Sequence, residues 1–306
     1  MHKSYFRPFI LLIAAMLLSA GFAAGQSGKE PLAVTPVKAL PSLQKTTDAK
    51  GKTLSLGRVV EALDGQLIDR VNATRKFQIV ARSDFKELVS AQSYDDSGNV
   101  KPETASKIGE LTGAKFLLVT SIDDFADFSE TATFSGTGKS ATKRLIRLSA
   151  VGKIWDSSTG KLLESVNFQH SVKDIYEERS NSTKDGNLSD ELLVTISREM
   201  AEKIAVRVAD VIFPVKVLVK RDKQITINRG DGSGVEVDQL WNVFAVGQDM
   251  IDPDTKEVLG KEEVLMGKAR IISVQAKFST AELLEDNGVD KGAILRLPPA
   301  KKAPLQ

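Results

Sequence analysis

The sequence predicts two folded units in series: an α+β/α/β unit, a mixed sheet with flanking helices, followed by a small β-barrel. Three observations carry that prediction. Apolar residues recur at helical spacing in two long stretches, near 55–74 and 190–212. Near-continuous apolar runs such as 116–122 lie between them, as buried strands do. After Phe213-Pro214 the helical pattern stops, and short apolar runs divided by glycine-rich turns take over.

The elements follow in order. Residues 1–25 read as a signal peptide. His2, Lys3 and Arg7 precede an apolar run over 9–18, and Ala20, Gly21, Ala23, Ala24 and Gly25 supply small residues for cleavage near 24–26. The run is shorter than the roughly 20 apolar residues a spanning helix needs, so a cleaved leader is preferred to a retained anchor. The first unit then covers 32–213. Residues 32–37 form a strand edged by Pro36, and 41–53 read as loop. Leu56, Val59, Val60, Leu63, Leu67 and Val71 mark one face of an amphipathic helix. A short strand follows at 77–81, and Ser83 and Asp84 offer N-cap oxygens for a helix to about Gln92.

Residues 94–102 are turn-rich. A helix over 103–112 is closed by Gly113, suited to the left-handed C′ position. Residues 116–122 form a buried strand. Residues 129–142, rich in Ser, Thr, Gly and Ala, read as a mobile loop or hairpin tip. Strands at 145–155 and 161–176 flank a turn at Asp156, Thr159 and Gly160, and 177–188 is polar. Ser189 caps the helix over 190–212, whose inner face carries Leu192, Leu193, Ile196, Met200, Ile204 and Val208. Pro214 cannot continue that helix. The second unit, 214–298, shows strands near 215–220, 223–228, 240–247, 263–277 and 293–297. The tail 299–306 has no core-forming pattern and is expected to be disordered.

Composition narrows the function classes. The chain has 306 residues, 42% apolar and 27% charged, with a formal net charge of +2. That balance gives no basic field of the kind nucleic acid requires. The chain contains no cysteine, which excludes disulfides, thiolate chemistry and a lipid-attachment cysteine.

Candidate sites resolve to ordinary readings. The loop Gly230-Asp-Gly232-Ser-Gly234 is followed by a predicted strand, so it reads as a β-turn rather than a phosphate cradle, which needs a helix there. Asp249, Asp252, Asp254 and Glu257 share one loop. Counted from Asp249, its sixth position is Asp254 and its twelfth Gly260, where a calcium loop needs Gly and Glu. His2 lies in the leader, and His170 has no motif partner. Asp123 and Asp124 end a strand, and Trp155 and Trp241 read as core aromatics. The expectation is therefore no catalytic, cofactor-binding or metal-binding residue, no cofactor and no enzyme.

Two stretches carry family resemblances. The helix–strand segment ETASKIGELTGAKFLLVTSI, the strand FQIVAR and the hairpin RLSAVGKIWDSSTGKLLES resemble the curli production assembly/transport component CsgG family, itself similar to the N-terminal domain of the TolB family. Residues 222–278 resemble the C-terminal domain of the flagellar assembly protein T (FlgT) family. They do so through I-x-I-N-x-G at 225–230, G-V-x-V at 234–237, D-P-D-T-x-E-V-L-G at 252–260 and G-x-x-x-I-x-x-V at 267–274. The resemblances imply a non-enzymatic cell-envelope assembly or scaffolding protein, periplasmic or outer-membrane-associated. Its partners would be envelope proteins and further copies of itself, without nucleic acid or small-molecule substrate.

The alternative is a subunit of a CsgG-like oligomeric outer-membrane channel. The residues argue against it. One face of 124–136 carries Asp124, Ala126, Phe128, Glu130, Ala132 and Phe134, and the return arm carries Lys143, Arg144 and Arg147. A third arm carries Glu164, His170 and Asp174, with no return strand in 177–188. A membrane strand needs about 9–11 residues with an apolar outer face.

Overall fold

The computed structural model describes residues 28–49, 53–80, 100–134, 139–178 and 191–298. The predicted leader, the helix expected over 84–92, the N-cap at Ser189 and the tail 299–306 lie outside the described residues.

The first unit is a three-layer sandwich. Its sheet contains β1 (Glu30–Val34), β2 (Lys38–Ala39), β3 (Phe77–Ile79), β4 (Phe116–Phe134), β5 (Lys139–Asp156) and β6 (Lys161–Glu178), in the order β3-β1-β4-β5-β6 with β2 beside β4. The pairs β1–β3, β1–β4 and β2–β4 are parallel, and β4–β5 and β5–β6 are antiparallel, so the sheet is mixed as predicted. Four helices accompany it among the described residues: α1 (Pro41–Ala49), α2 (Thr53–Ala73), α3 (Pro102–Thr112) and α4 (Glu191–Ile212).

Strand alternation sorts side chains to two cores. Leu32, Val34 and Leu118 face α2 and α4, where Leu63, Leu67, Ile196 and Ile204 meet them. Ala33, Leu117 and Val119 face α3, through Ala105 and Ile108. Both long helices bury the faces their spacing predicts. Gly113 caps α3 with φ +67°. Trp155 is buried in the α3 core, where its indole N–H finds no partner among the described residues.

The structure departs from expectation in three places here. Residues 41–49 form α1 rather than loop. Leu43 is its one described buried apolar residue, and Thr47 lies buried one turn on, its hydroxyl donating to the Leu43 carbonyl at 2.7 Å. One apolar residue makes no visible period. The strand expected over 32–37 ends at Val34 as β1, before Pro36, which has no N–H for a ladder, and pairing resumes only at β2, beyond the expected strand.

The third departure matters most. Of the two readings of 129–142, the described residues fit the hairpin and not the loop: 129–134 continue β4 and 139–142 open β5, in register through Phe134↔Lys139. Cross-strand chemistry fits, with the Thr131 and Thr142 hydroxyls 2.9 Å apart. At 19 residues, β4 runs about 60 Å at the usual strand rise.

A bulge between Ile122 and Asp124 reverses the side-chain parity of β4. Before it, Phe116, Leu118 and Ile122 face the long helices; after it, Phe125 does.

The second unit is a closed hydrogen-bonded ring of six antiparallel strands: β7 (Val215–Arg221), β8 (Gln224–Ile227), β9 (Leu240–Ile251), β10 (Val258–Val274), β11 (Ser279–Asp286) and β12 (Ile294–Arg296). Sequence reading ran 263–277 as one strand and missed β11, although Ala281 and Leu283 alternate into the core with Ile225, Trp241 and Ile271. Charged Glu282, Glu285 and Asp286 mask that alternation.

The units meet at Phe213-Pro214. Arg229, 1% exposed, pairs with Asp210 of α4 and donates to the Phe213 carbonyl at 2.9 Å. Phe77 and Phe213 touch with ring centroids 5.6 Å apart.

Candidate functional site

The feature that stands apart from both cores is the outer half of the β4–β5–β6 ribbon. From 128 to 133 every described side chain of β4 is exposed, yet every one of these residues keeps its backbone partner in β5. The ribbon is therefore ordered by its ladder and by a buried pair beneath it. Arg144 donates Nε to Asp127 Oδ1 at 2.9 Å and Nη2 to Oδ2 at 2.8 Å, with side chains 3% and 1% exposed. This bidentate fork fixes the two strands against each other.

The opposite face is mixed. Phe128 sits opposite Leu145, Glu130 opposite Lys143 and Ala126 opposite Arg147, with Arg147 paired to Asp124 at 3.0 Å. Phe128 is 57% exposed. That face offers one apolar step flanked by both signs of charge.

The residues weighed in the sequence fall as follows. Arg144 and His170, expected on a lipid-side face, both lie on the helix-side face. His170 is not alone: its Nε2 contacts the Glu199 carboxylate, and Lys203 Nζ donates to Nδ1 at 2.8 Å. Sequence reading missed both partners, because neither α4 residue forms a motif with a strand residue some thirty positions earlier.

A cleft of about 660 Å³ lies beside this cluster, lined by Phe168, Glu202, Val206, Arg207 and Glu236 among others. No serine or threonine lines it. With both ring nitrogens engaged, the imidazole ties β6 to α4, as the Arg207–Glu164 pair does farther along.

Asp123 accepts a bond from Asn167 at 2.8 Å. The Asp156 turn forms as read: burial pushes the carboxyl up, but bonds from Ser158 and Thr159 and the charge of Lys115 hold it below its ordinary value. Asp252 closes the β9–β10 turn by accepting the amides of Asp254 and Thr255, while Asp249 pairs with Lys261. Among the described residues no group of three or more His, Asp or Glu is placed to hold a metal ion.

The 230–234 loop does turn, and its glycines serve packing. A Cβ on Gly230 would meet the Gln275 carbonyl at 2.3 Å, and one on Gly234 the Val206 side chain at 2.8 Å. At the junction, burial pushes the Asp210 carboxyl up against the pull of Arg229. Trp241 donates to Gln239 at 3.2 Å.

The first unit is thus a mixed-sheet sandwich that carries a long antiparallel ribbon. Residues 23–209 match the family described as curli production assembly/transport component CsgG, and the chain belongs to that family. It is accordingly an envelope-associated protein. The match ends before the ring and does not extend to the flagellar assembly protein T resemblance.

Among curated proteins, an uncharacterised protein of Aquifex aeolicus is 36% identical over 59 residues, 19% of this chain and 12% of that protein. The chain thus matches only a small part of that relative's length. Similar solved structures include the hypothetical protein CT253 of Chlamydia trachomatis, at 15% identity over 60% of this chain and 98% of that one, with a TM-score of 0.33. Lipoprotein GNA1162 of Neisseria meningitidis has 17% identity over 57% and 98%, with a TM-score of 0.27. A PelC dodecamer of Paraburkholderia phytofirmans has 11% identity over 61% and 89%, with a TM-score of 0.23. No described helix is long and apolar enough to cross a membrane.

Proposed function

We propose that the chain is a non-enzymatic assembly or scaffolding protein of the cell envelope. It acts in the periplasm or at the outer membrane and binds protein partners, further copies of itself among them, through the outer half of the β4–β5–β6 ribbon. The carrying observation is the combination found there: a backbone ladder continuous to Phe134↔Lys139, with the side chains of 128–133 exposed. A strand pair held rigid beyond its own core has little ordering entropy to lose on docking. Family membership supports the envelope setting. The resemblance of 222–278 to the flagellar assembly protein T family supports the ring as a second docking unit, with the division between units near Pro214.

The test shortens the ribbon. Replacing 132–141 by Asn-Gly keeps the Thr131–Thr142 pair and closes it with a favoured two-residue turn. The variant should melt like the parent and lose the envelope partners that the parent captures. Full capture by the shortened variant would overturn the reading.

One observation favours a second reading, a subunit of an oligomeric outer-membrane channel. β5 pairs along its length with both β4 and β6, so the β4–β5 hairpin has the backbone bonding a membrane hairpin needs, while the stretch 179–188, where no return strand for β6 was expected, lies outside the described residues. Arg144 and His170 also no longer stand on an outward face. Glu130, Lys143 and Arg147 do, beside Phe128 and Leu145, and a lipid-facing Arg at midplane costs roughly 2–4 kcal/mol. Under the scaffold reading, purified protein gives no stable channels in planar bilayers. Discrete openings abolished by the 132–141 replacement would establish the channel instead.

A further inference from the structure

A cleft of about 460 Å³ opens where the two units meet, between the α2–β3 turn and the β10–β11 turn. Four cationic residues from three separate segments line it: Lys29 before β1, Arg75 and Lys76 after α2, and Lys277 after β10. The other lining residues are Gly28, Thr74, Asn228, Gly230 and Ala276, so no carboxylate is among them. Lys29, Arg75 and Lys277 are exposed, and among the described residues none of the three forms an ion pair. In a chain whose whole formal charge is +2, four cations in one cleft are a local excess.

Two features make this more than a solvated basic face. Lys76 is half-buried and anchored, its ammonium donating to the Asn228 carbonyl at 2.7 Å across the junction. One of three N–H donors is used, which leaves two. Burial and the charge of Arg229 behind it hold its pKa below the ordinary lysine value. Gly230, in turn, keeps its place only without a side chain, since a Cβ would meet the backbone of Gln275, Ala276 and Lys277 within 3 Å. That contact holds the Lys277 turn against the cleft.

We propose that this cleft binds a phosphate-bearing anion of two or more negative charges. Lys29 and Lys277 act as mobile point charges and Lys76 as an anchored one, a mode suited to phosphate, and Arg75 adds a planar fork. The volume lies within the usual range for small-ligand sites. A bound phosphate joins the α2–β3 turn to the β10–β11 turn, and so ties the sandwich to the ring. It also offsets the unfavourable setting of Lys76, whose ammonium is held below its ordinary pKa by burial and by the charge of Arg229. The ligand is a soluble phosphate ester or a lipid phosphate headgroup, and the recognition chemistry is the same for both.

Inorganic pyrophosphate is the probe, titrated calorimetrically into the full chain. The expected result is saturable binding at one site and a raised unfolding temperature. Lys277→Gln, at an exposed turn, should weaken binding about tenfold, or 1.4 kcal/mol, without altering the unfolding temperature of the free protein. Lys76→Gln should weaken it as much, since it removes the two ammonium donors left free by the Asn228 carbonyl. Lys161→Gln, on the β5–β6 turn and outside the cleft lining, should change nothing. Sedimentation with phosphatidylcholine vesicles, with and without phosphatidic acid, separates the sources. Retention on the acidic vesicles that pyrophosphate displaces assigns a lipid phosphate, and pyrophosphate binding without retention assigns a soluble ester. Absence of saturation, or equal weakening by Lys161→Gln and Lys277→Gln, overturns the site.

Discussion

Each unit sends out one long antiparallel hairpin, and the two are held differently. In the β4–β5 ribbon, the face turned toward the helices carries a buried ion pair, Arg144 with Asp127, beside fully buried Ile146 and Leu148. In the β9–β10 hairpin, Met250, Ile251, Val258, Leu259, Val264 and Leu265 are all exposed, and the one ion pair near its turn, Lys261 with Asp249, is open to water. Identical backbone logic thus yields one hairpin locked by a buried pair and another whose outer half has only its ladder and solvent-exposed side-chain contacts. Burial decides what a charge pair contributes: removing one partner of a buried pair leaves an uncompensated charge, whereas an exposed pair is replaced by water.

The largest effect tests that contrast directly. Asp127→Ala should lower stability by about 3–5 kcal/mol in urea unfolding, while Asp249→Ala costs at most about 1 kcal/mol. Equal losses would mean that the ribbon does not depend on its pair. Next in size, Ile146→Ala should cost roughly 2–5 kcal/mol through the cavity it leaves, against about 0.5 kcal/mol or less for Leu265→Ala, which is 50% exposed.

A third test uses pH on the ring. The bond from Arg296 holds the Glu263 carboxyl below its ordinary value of 4.5, against a smaller upward push from burial. A depressed acid adds stability that is fully present above its unfolded value and is lost as pH falls through the folded one. Thermal melts between neutrality and acid should therefore show a loss below about pH 4.5 that Glu263→Gln reduces. An unchanged acid slope in that variant would place the sensitivity elsewhere. The smallest effect is Thr142→Val, which removes the hydroxyl pair with Thr131 and should cost under about 1 kcal/mol, read as faster amide exchange in the outer ribbon.

Much of the architecture was legible. The amphipathic faces of α2 and α4, the Gly113 cap, the Asp156 turn and the break at Pro214 each rest on local chemistry that a sequence displays. The outer ribbon was legible only as one of two alternatives, because Ser and Thr at 129–142 suit a loop as well as a strand until a partner strand is in place. Strand β11 was hidden by its acidic residues. The partners of His170 were hidden because α4 packs on β6 only in the folded chain.

What the sequence determined by itself is everything set by period and by single residues: two long helices with known inward faces, buried strands, left-handed glycines, a chain without thiol chemistry. What only the tertiary structure decided is register. A single bulge at Ile122/Asp124 exchanges the two faces of β4, turning Phe125 and Asp127 inward and Phe128 outward. The pairing of Asp127 with Arg144, the exposed face of the ribbon and the convergence of Lys29, Lys76 and Lys277 all depend on which residue stands opposite which. A strand repeats every two residues, so one extra residue inverts every face beyond it, and no local pattern records where that residue falls.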